Sequence, residues 1–306
     1  MIDKMVMIGA GFVGSTAVFS LMEAGLFKEI VMIDVDKSKA VGEAMDISHG
    51  IPFSKEMKIY AGDYEDIDDA GLIIISAGAN QRIGETRLDL LNKNVEIFKD
   101  IIPKINSRNY NGLILVVTNP VDILTYVTCK LSVLPKNKIL GSGTVLDTAR
   151  LKYSLGKLLT INSKSVHAYI IGEHGDSEIA AFSNANISGI PIDDYLSNLG
   201  HSDDKKEEVA YEVKNSAYEI IKRKNATYFG IAIAIRRICE AIVRDEKAIL
   251  PISVFLEEYD IVLSMPSVIG DEGVLKVLNI KLDQSEKAAL HNTRLIFKEI
   301  ISKLDI

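Results

Sequence analysis

The sequence is poor in cysteine, in long apolar runs and in net positive charge. Its two cysteines, Cys129 and Cys239, lie far apart in helical contexts, which predicts small buried side chains in a reducing compartment rather than a disulfide framework. No apolar run reaches the roughly twenty residues that a membrane-spanning helix needs. The formal net charge is −7 and no basic stripe is present, so nucleic acid is not expected as a partner.

The composition is that of a globular protein. The chain has 306 residues, enough for one large domain or two ordinary ones, and 47% of them are hydrophobic. The first residues resemble a strand and a glycine loop rather than a signal peptide, so we expect a cytoplasmic protein.

The chain opens on a possible dinucleotide-binding signature. The apolar residues 5–8 are typical of a buried parallel strand, and they lead into G-x-G-x-x-G at residues 9–14. In such a motif Gly9 permits a tight turn, Gly11 lets the backbone approach a pyrophosphate, and Gly14 lets helix and strand pack closely. An ordinary βα turn is the alternative interpretation of the glycines alone.

The residues around this motif favour NAD. The phosphates would lie at the helix N-terminus beside Phe12 and Val13, where unpaired N–H groups attract anions. A second apolar run, residues 30–33, ends in Asp34, twenty residues after Gly14. A carboxylate at that spacing can accept hydrogen bonds from ribose hydroxyls, and it would repel the 2′-phosphate of NADP.

The first half of the chain alternates between strand and helix patterns. Further strands are predicted at residues 72–77 and 113–118, with helices near residues 39–47, 86–106 and 121–131. This alternation predicts an α/β fold, a doubly wound parallel sheet of the Rossmann type.

Ligands bind such a sheet at the carboxyl ends of its strands. The predicted strands end at Gly9, Asp34, Ala77-Gly78 and Thr118-Asn119-Pro120. We therefore expect these residues to gather at one cofactor cleft.

The pattern changes after about Gly141. We expect an NAD-binding domain at residues 1–141 and an α+β substrate-binding, catalytic domain at residues 142–306. In the second domain the patterns predict helices at 146–158, 205–244 (interrupted at 224–228) and 285–304, a strand at 167–172 leading into His174, and strands at 252–256, 261–266 and 274–278. The last helix is expected to begin at Ser285 without a capping box.

The segment I-G-E-H-G-D at residues 171–176 places His174 on a glycine-flanked turn. Imidazole, with an ordinary pKa of roughly 6.5, can give or take a proton near neutrality. A histidine in a loop can also be merely structural. The chemical interpretation gains support from Asp147 and Arg150, which stand three apart on one face of a predicted helix.

A carboxylate that accepts a hydrogen bond from the imidazole N–H fixes the tautomer of His174 and favours the imidazolium, a role that Asp147 could take. The planar guanidinium of Arg150 could hold a substrate carboxylate in bidentate fashion. The alternative is an ordinary surface ion pair between the two.

A polar loop bounded by Gly78 and Gly84 follows the strand at 72–77. Such a loop could close as a lid and exclude water, and Arg87 near its end could polarise a carbonyl oxygen. The alternative is a solvated loop.

These segments occur in the order found in the L-lactate/malate dehydrogenases. The matching segments are G-A-G-F-V-G-S-T, M-I-D, S-A-G-A-N-Q-R-I-G-E-T-R-L-D-L, V-T-N-P-V-D-I-L-T, L-D-T-A-R, I-G-E-H-G-D and A-T-Y-F-G-I-A. The sequence resembles this family over essentially its whole length, and most closely the bacterial L-lactate dehydrogenases.

The resemblance implies a role for each candidate residue. His174 would be the proton donor and acceptor, with Asp147 as its orienting partner. Arg150 would bind the substrate carboxylate and Arg87 would polarise the carbonyl. Two further substrate contacts are implied, at Asn119 and Thr227. The resemblance implies NAD as cofactor, and no metal is expected.

Within the family, the lid residue matching Gln81 separates substrates. Malate enzymes carry arginine there, and a neutral glutamine would leave the second carboxylate of oxaloacetate unpaired at a cost of about 3–5 kcal/mol. A shift of one residue would place Arg82 at this position, but the spacing of Gln81 to Gly84 and Arg87 fits pyruvate and lactate without a gap. The alternatives are a malate dehydrogenase, an enzyme for bulkier 2-hydroxy acids, or a non-catalytic NAD-binding sensor.

The resemblance also implies a homotetramer built from dimers, and it raises the possibility of an activator site. Many bacterial relatives bind fructose 1,6-bisphosphate between subunits, and the matching positions here are Lys152 and His167. Lysine keeps the charge of the usual arginine but loses its bidentate geometry. The alternative is a surface lysine and a histidine at the start of a strand.

Overall fold

Apolar, largely β-branched runs form the strands at the centre of the fold. The structure is a computed structural model that describes residues 2–79, 87–202 and 204–306, the side chain of Arg87 excepted. The strands are β1 (Lys4–Ile8), β2 (Glu29–Ile33), β3 (Lys58–Ala61), β4 (Leu72–Ile75), β5 (Leu113–Val116), β6 (Ile139–Gly141), β7 (Val166–His167), β8 (Ile170–Ile171), β9 (Ile179–Ala180), β10 (Asn186–Ile187), β11 (Ile190–Pro191), β12 (Ala248–Leu256), β13 (Ile261–Gly270) and β14 (Gly273–Val277).

The helices alternate with the strands in the first half of the chain, and three of them follow one another between β11 and β12. They are α1 (Phe12–Ala24), α2 (Lys37–Ser48), α3 (Arg87–Asn106), α4 (Val121–Leu131), α5 (Val145–Leu158), α6 (Ile192–Asn198), α7 (Asp204–Lys224), α8 (Phe229–Val243) and α9 (Gln284–Ile301). Within the described residues, none of them is long and apolar enough to cross a membrane.

One nine-stranded sheet runs through the molecule in the order β14-β13-β12-β6-β5-β4-β1-β2-β3. The six adjacent strands β6-β5-β4-β1-β2-β3 are parallel, and β4 and β1 are the two central strands of this parallel part. From β1 the chain builds outward to β3, then returns to β4 and builds the other way to β6. This reversal opens a crevice at the carboxyl ends of β1 and β4, where ligands bind in such sheets.

The central parallel strands β1, β4 and β5 are buried on both faces, which explains their apolar sequences, whereas the edge strand β3 is partly exposed. The predicted Rossmann-type sheet is confirmed, and the predicted helix at 121–131 is found with those bounds. The predicted break in the helical stretch 205–244 is also found, between α7 and α8. The sequence pattern did not predict β3, a partly exposed edge strand, or β6, which has three residues.

The second half extends the same sheet. β12 pairs with β6 in antiparallel fashion through Ser253 and Gly141, and β12, β13 and β14 form an antiparallel meander. A smaller apolar cluster lies apart from the main core and includes Leu151, Val166 and Val213.

Two expectations for the second half were wrong. The strand predicted at residues 167–172 is divided into β7 and β8, which pair with different partners, β10 and β9. The last helix does begin with a capping box: the Asp283 carboxylate accepts from the backbone N–H of Glu286, and the Glu286 carboxylate accepts from the backbone N–H of Asp283. These bonds satisfy backbone donors that the first turn of a helix leaves unpaired.

Candidate active site

The glycine loop between β1 and α1 passes close to the end of β4. Gly9 has φ +107°, and a Cβ atom there would lie 2.5 Å from the backbone nitrogen of Ala77. A Cβ atom on Gly14 would lie 2.0 Å from the carbonyl oxygen of Gly9. A side chain on Gly9 would force the ends of β1 and β4 apart, and one on Gly14 would force α1 away from the loop, so both positions require glycine.

Gly11 differs from the other two glycines of the motif. A Cβ atom there would meet no described atom within 4 Å, and Gly11 is the N-cap of α1 with no described side chain bonded to it. The N-terminus of α1 therefore presents backbone N–H groups to open space at the crevice. This arrangement fits the pyrophosphate of a dinucleotide.

Asp34 lies at the carboxyl end of β2, beside the same loop. Its Oδ2 accepts from the backbone N–H of Ala10 at 2.6 Å, and its Oδ1 accepts from that of Asp36 at 2.9 Å. The carboxylate is thus fixed next to the glycine loop. This position fits the expected contact with an adenosine ribose.

The ends of β4 and β5 are tied together by one buried side chain that sequence analysis missed. Asn94 of α3 accepts from the backbone N–H of Ala79 through Oδ1 and donates to the carbonyl of Asn119 through Nδ2, both at 2.8 Å. The Thr118 hydroxyl donates to the carbonyl of Ala77 at 2.8 Å. A polar residue on the buried face of an amphipathic helix was the available signal for Asn94.

His174 and Asp147 form the centre of the candidate site. Nδ1 of His174 lies 2.5 Å from Oδ2 of Asp147, which is almost fully buried on α5. Arg150, one turn further along α5, donates from Nη1 to Oδ1 of the same carboxylate at 2.7 Å. The structure thus brings together the three residues that lay on two separate segments of the sequence.

A second carboxylate, that of Asp122, contacts the main chain of His174. It accepts from the backbone N–H of His174 at 2.7 Å. Asp122 ends the segment V-T-N-P-V-D, and no role was predicted for it from the sequence. The signal was an acid inside an otherwise apolar helix, since residues 121–129 of α4 are all buried.

The pKa values at this site follow from burial and charge together. Burial by itself lowers the pKa of His174, but the carboxylates of Asp147, Asp122 and Glu178 outweigh it and raise the pKa to about 9. His174 is therefore an imidazolium at neutral pH. Burial raises the pKa of Glu178 to about 8, assisted by Asp147 and opposed by His174 and Arg150.

Thr227 lies half-buried between α7 and α8, next to an aromatic contact with the glycine loop. The ring of its neighbour Tyr228 stacks on Phe12 with centroids 5.4 Å apart, and the ammonium of Lys224 lies 3.6 Å from the Tyr228 centroid. This contact joins the segment that carries Thr227 to the first helix of the dinucleotide motif.

Several residues predicted from the sequence lie outside the described residues or on other elements. Gln81 and Gly84 lie outside the described residues, and the side chain of Arg87, the first residue of α3, is not described. Lys152 and His167 lie on α5 and β7, two elements that pack together. Burial lowers the pKa of the half-buried Lys152, whereas His167 is exposed.

Comparisons with known proteins agree with this geometry. Residues 3–141 match the family model of the lactate/malate dehydrogenase NAD-binding domain, and residues 144–305 match that of the lactate/malate dehydrogenase alpha/beta C-terminal domain. An L-lactate dehydrogenase of Acetivibrio thermocellus is 51% identical over 311 residues, covering 100% of this chain and 98% of its own. One from a Thermoanaerobacter species is 50% identical over 310 residues, covering 99% of this chain and all of its own.

Solved structures give the same result. A minor L-lactate dehydrogenase of Enterococcus mundtii, in a ligand-bound form, matches with a TM-score of 0.97 at 38% identity, covering 100% of this chain and 99% of its own. A lactate dehydrogenase from a Medee basin deep-sea metagenome library matches with a TM-score of 0.96 at 44% identity, covering 99% of both chains. On sequence and structure alike, the chain belongs to the lactate/malate dehydrogenase family.

Proposed function

We propose that the chain is an NAD-dependent L-lactate dehydrogenase, which reduces pyruvate to L-lactate with NADH and a proton and catalyses the reverse reaction. The observation that carries this proposal is the buried Asp147 carboxylate shared by His174 and Arg150, with the main chain of His174 bonded to α4, the helix that follows β5. The Asp147 carboxylate thereby fixes the position of both His174, the proposed proton donor, and Arg150, which is proposed to bind the substrate carboxylate.

His174, Asp147 and Arg150 each have one role in the proposed reaction. NAD(H), when bound, supplies or accepts the hydride at the carbonyl carbon. His174, charged at neutral pH, donates its Nε2 proton to the pyruvate oxygen, and Asp147 stabilises the imidazolium that precedes the transfer. Arg150 retains guanidinium N–H groups beyond the one bonded to Asp147, and these can hold the substrate carboxylate.

The remaining contacts are proposed from the family resemblance. Arg87 would stabilise developing negative charge on the carbonyl oxygen, Asn119 would contact that oxygen, and Thr227 would line the pocket. Asp34 beside the glycine loop favours NAD over NADP, because it would repel a 2′-phosphate. We propose residues 1–141 as the NAD-binding domain and residues 142–306 as the substrate-binding domain.

Parallel assays of NADH oxidation with pyruvate, oxaloacetate and a branched 2-oxo acid test this function. Pyruvate should give the highest kcat/KM. Preference for oxaloacetate would indicate a malate dehydrogenase, and preference for the branched acid an enzyme of bulkier 2-hydroxy acids. NADH binding without turnover of any of the three would indicate a sensor.

Gln81 is proposed to set this preference. Gln81→Arg should raise kcat/KM for oxaloacetate relative to pyruvate by about 10²-fold or more, because the guanidinium gives the second carboxylate a partner worth about 3 kcal/mol. Gln284→Arg, at an exposed position in the first turn of α9, is the matched control and should leave the ratio unchanged. An unchanged ratio in the Gln81 variant would show that another residue reads the substrate.

We further propose a cytoplasmic homotetramer with an activator site for fructose 1,6-bisphosphate at Lys152 and His167. Exposed apolar side chains on α2 and α8, among them Met45, Phe229 and Ile233, support association of copies of the chain. Sedimentation gives the oligomeric state directly.

The activator should lower the apparent KM for pyruvate several-fold in the wild type and His201→Ala, but not in His167→Ala. No response of the wild type at sub-saturating pyruvate would exclude this regulation.

A further inference from the structure

Asp122, a buried carboxylate in the apolar helix α4, takes no part in the proposed proton transfer. Asp122 is 2% exposed, in the first turn of a helix whose residues 121–129 are all buried. Burying a charged group is costly unless it is paired or hydrogen-bonded, so its surroundings should compensate it.

Three donors from three separate segments reach this carboxylate. Oδ2 accepts from the backbone N–H of His174 at 2.7 Å. Oδ1 accepts from the hydroxyl of Ser253 on β12 at 2.7 Å and from that of Ser264 on β13 at 3.0 Å. Both serines are fully buried. Asp122 therefore joins α4, the β12–β13 hairpin and the loop that carries His174.

The loop is also fixed two residues before His174. The backbone N–H of Gly172 donates to the carbonyl of Ser264 at 2.8 Å, and the reverse bond has the same length. Ser264 thus contacts Gly172 through its main chain and Asp122 through its side chain. His174 is held at two points: its main chain by Asp122 and its ring by Asp147.

We propose that Asp122 is a positioning residue for the reaction: it fixes the main chain of His174 against the β12–β13 hairpin, so that the imidazole bonded to Asp147 points at the substrate. This inference rests on the proposed dehydrogenase function. Without the bond to Asp122, the main chain of His174 itself would be unheld, and the nearest fixed points would be the Gly172–Ser264 pairing two residues earlier and the ring contact with Asp147. Displacement of a catalytic group by about 1 Å can cost about 10²-fold in rate.

The charge of Asp122 acts in the same direction as its hydrogen bonds. Within residues 2–79, 87–202 and 204–306, the charged groups that act on His174 are Asp147 from α5, Asp122 from α4 and Glu178 from the segment before β9. Burial raises the pKa of Asp122 to about 6, while the His174 N–H, the two serine hydroxyls and the His174 charge limit the rise. At neutral pH the carboxylate is ionised and stabilises the imidazolium.

The test replaces Asp122 by Asn, which keeps the size and one acceptor oxygen but removes the charge. We expect kcat for pyruvate reduction to fall about 10- to 100-fold. The KM for pyruvate and the Kd for NADH should change by less than about threefold, since Asp122 has no proposed contact with either ligand. The pKa of His174, measured by NMR on protein labelled in its histidines without any ligand, should fall.

Two further variants separate positioning from general stability. Glu286→Gln changes another buried carboxylate, which accepts from the backbone N–H and the hydroxyl of Ser183 and caps α9. It should lower stability but leave kcat and the pKa of His174 unchanged. Ser253→Ala with Ser264→Ala should reproduce part of the loss in kcat while the carboxylate remains.

The outcomes distinguish this inference from the proposed function. If Asp122→Asn loses stability but keeps the kcat and His174 pKa of the wild type, Asp122 is structural and the inference is overturned. If the wild type turns over no 2-oxo acid, the proposed function fails. A lowered His174 pKa in Asp122→Asn would, even then, show that the Asp122 charge acts on the imidazole, whereas the positioning role is carried by the fall in kcat.

Discussion

The two buried aspartates that contact His174 have pKa values shifted in opposite directions. Asp122 and Asp147 are each 2% exposed, and each lies in the first turn of a helix. At each residue the largest contribution is burial, which by itself would raise the pKa of the carboxyl group. At Asp122 burial prevails, whereas at Asp147 the imidazolium of His174 and the guanidinium of Arg150 reverse it and lower the pKa.

The difference lies in what the two carboxylates face. Asp122 accepts hydrogen bonds from a backbone N–H and two hydroxyls, which are neutral dipoles. Asp147 is bonded directly to two cationic side chains. Hydrogen bonds alone leave a buried carboxylate costly, whereas direct cationic partners make the ionised form the stable one. Asp147, the carboxylate bonded to the imidazole ring, is therefore the one whose ionised form is stabilised.

Removing the charge at Asp147 should give the largest effect. In the wild type, kcat/KM for pyruvate reduction should fall as pH rises through about 9, because His174 loses its proton there. Asp147→Asn removes the main contribution that raises this pKa, so burial then lowers it and the limb moves to lower pH. We expect pyruvate reduction at pH 7 to fall by about 10²- to 10⁴-fold.

The measurement is the pH–rate profile in both directions, with the Kd for NADH as a check on folding. Asp46→Asn, at an exposed position on α2, is the matched control and should keep the profile of the wild type. If the Asp147 variant also kept that profile, the two carboxylates would not differ in the way described above.

Asp122 should give a smaller effect, visible in stability. Because the folded-state pKa is raised to about 6 from an ordinary 3.8, the folded protein binds the proton more tightly than the unfolded chain does. This stability contribution is therefore full below about pH 4 and is lost as pH rises through about 6, a change of about 3 kcal/mol. Asp122→Asn lacks it.

Denaturant unfolding of the wild type and of Asp122→Asn at pH 4.5 and 7.5 checks this sign. Relative to the wild type, the variant should be more stable at the higher pH than at the lower one. Glu286→Gln provides the comparison with a second buried carboxylate. A difference in unfolding free energy independent of pH would mean that Asp122 titrates near its ordinary pKa.

Sequence patterns predicted the first half of the fold better than the second. The central parallel strands β1, β4 and β5 are buried throughout, so each is an apolar run bounded by turns, and the glycine loop stands directly after β1. In the second half, β7 to β11 have two residues each, too few to show a period.

The candidate site was predicted unevenly for a similar reason. His174, Asp147 and Arg150 stand in short local segments whose residue types carry a chemical meaning by themselves. Asp122 does not, because its serine partners lie 131 and 142 residues further along the chain. A single acid in an apolar helix signals a buried interaction but does not identify the partner.

By itself, the sequence determined the alternation of strands and helices, the glycine loop with its acid, and the residue types available for proton transfer, because these depend on neighbours within a few residues. Only the tertiary structure decided which groups meet at His174. The pairing of β12 with β6 and of β13 with β12 brings Ser253 and Ser264 to α4, and the contact of α5 with the His174 loop sets the charge of the imidazole. The burial and the charge of His174 depend on segments that are distant in the sequence, so no local sequence pattern can predict them.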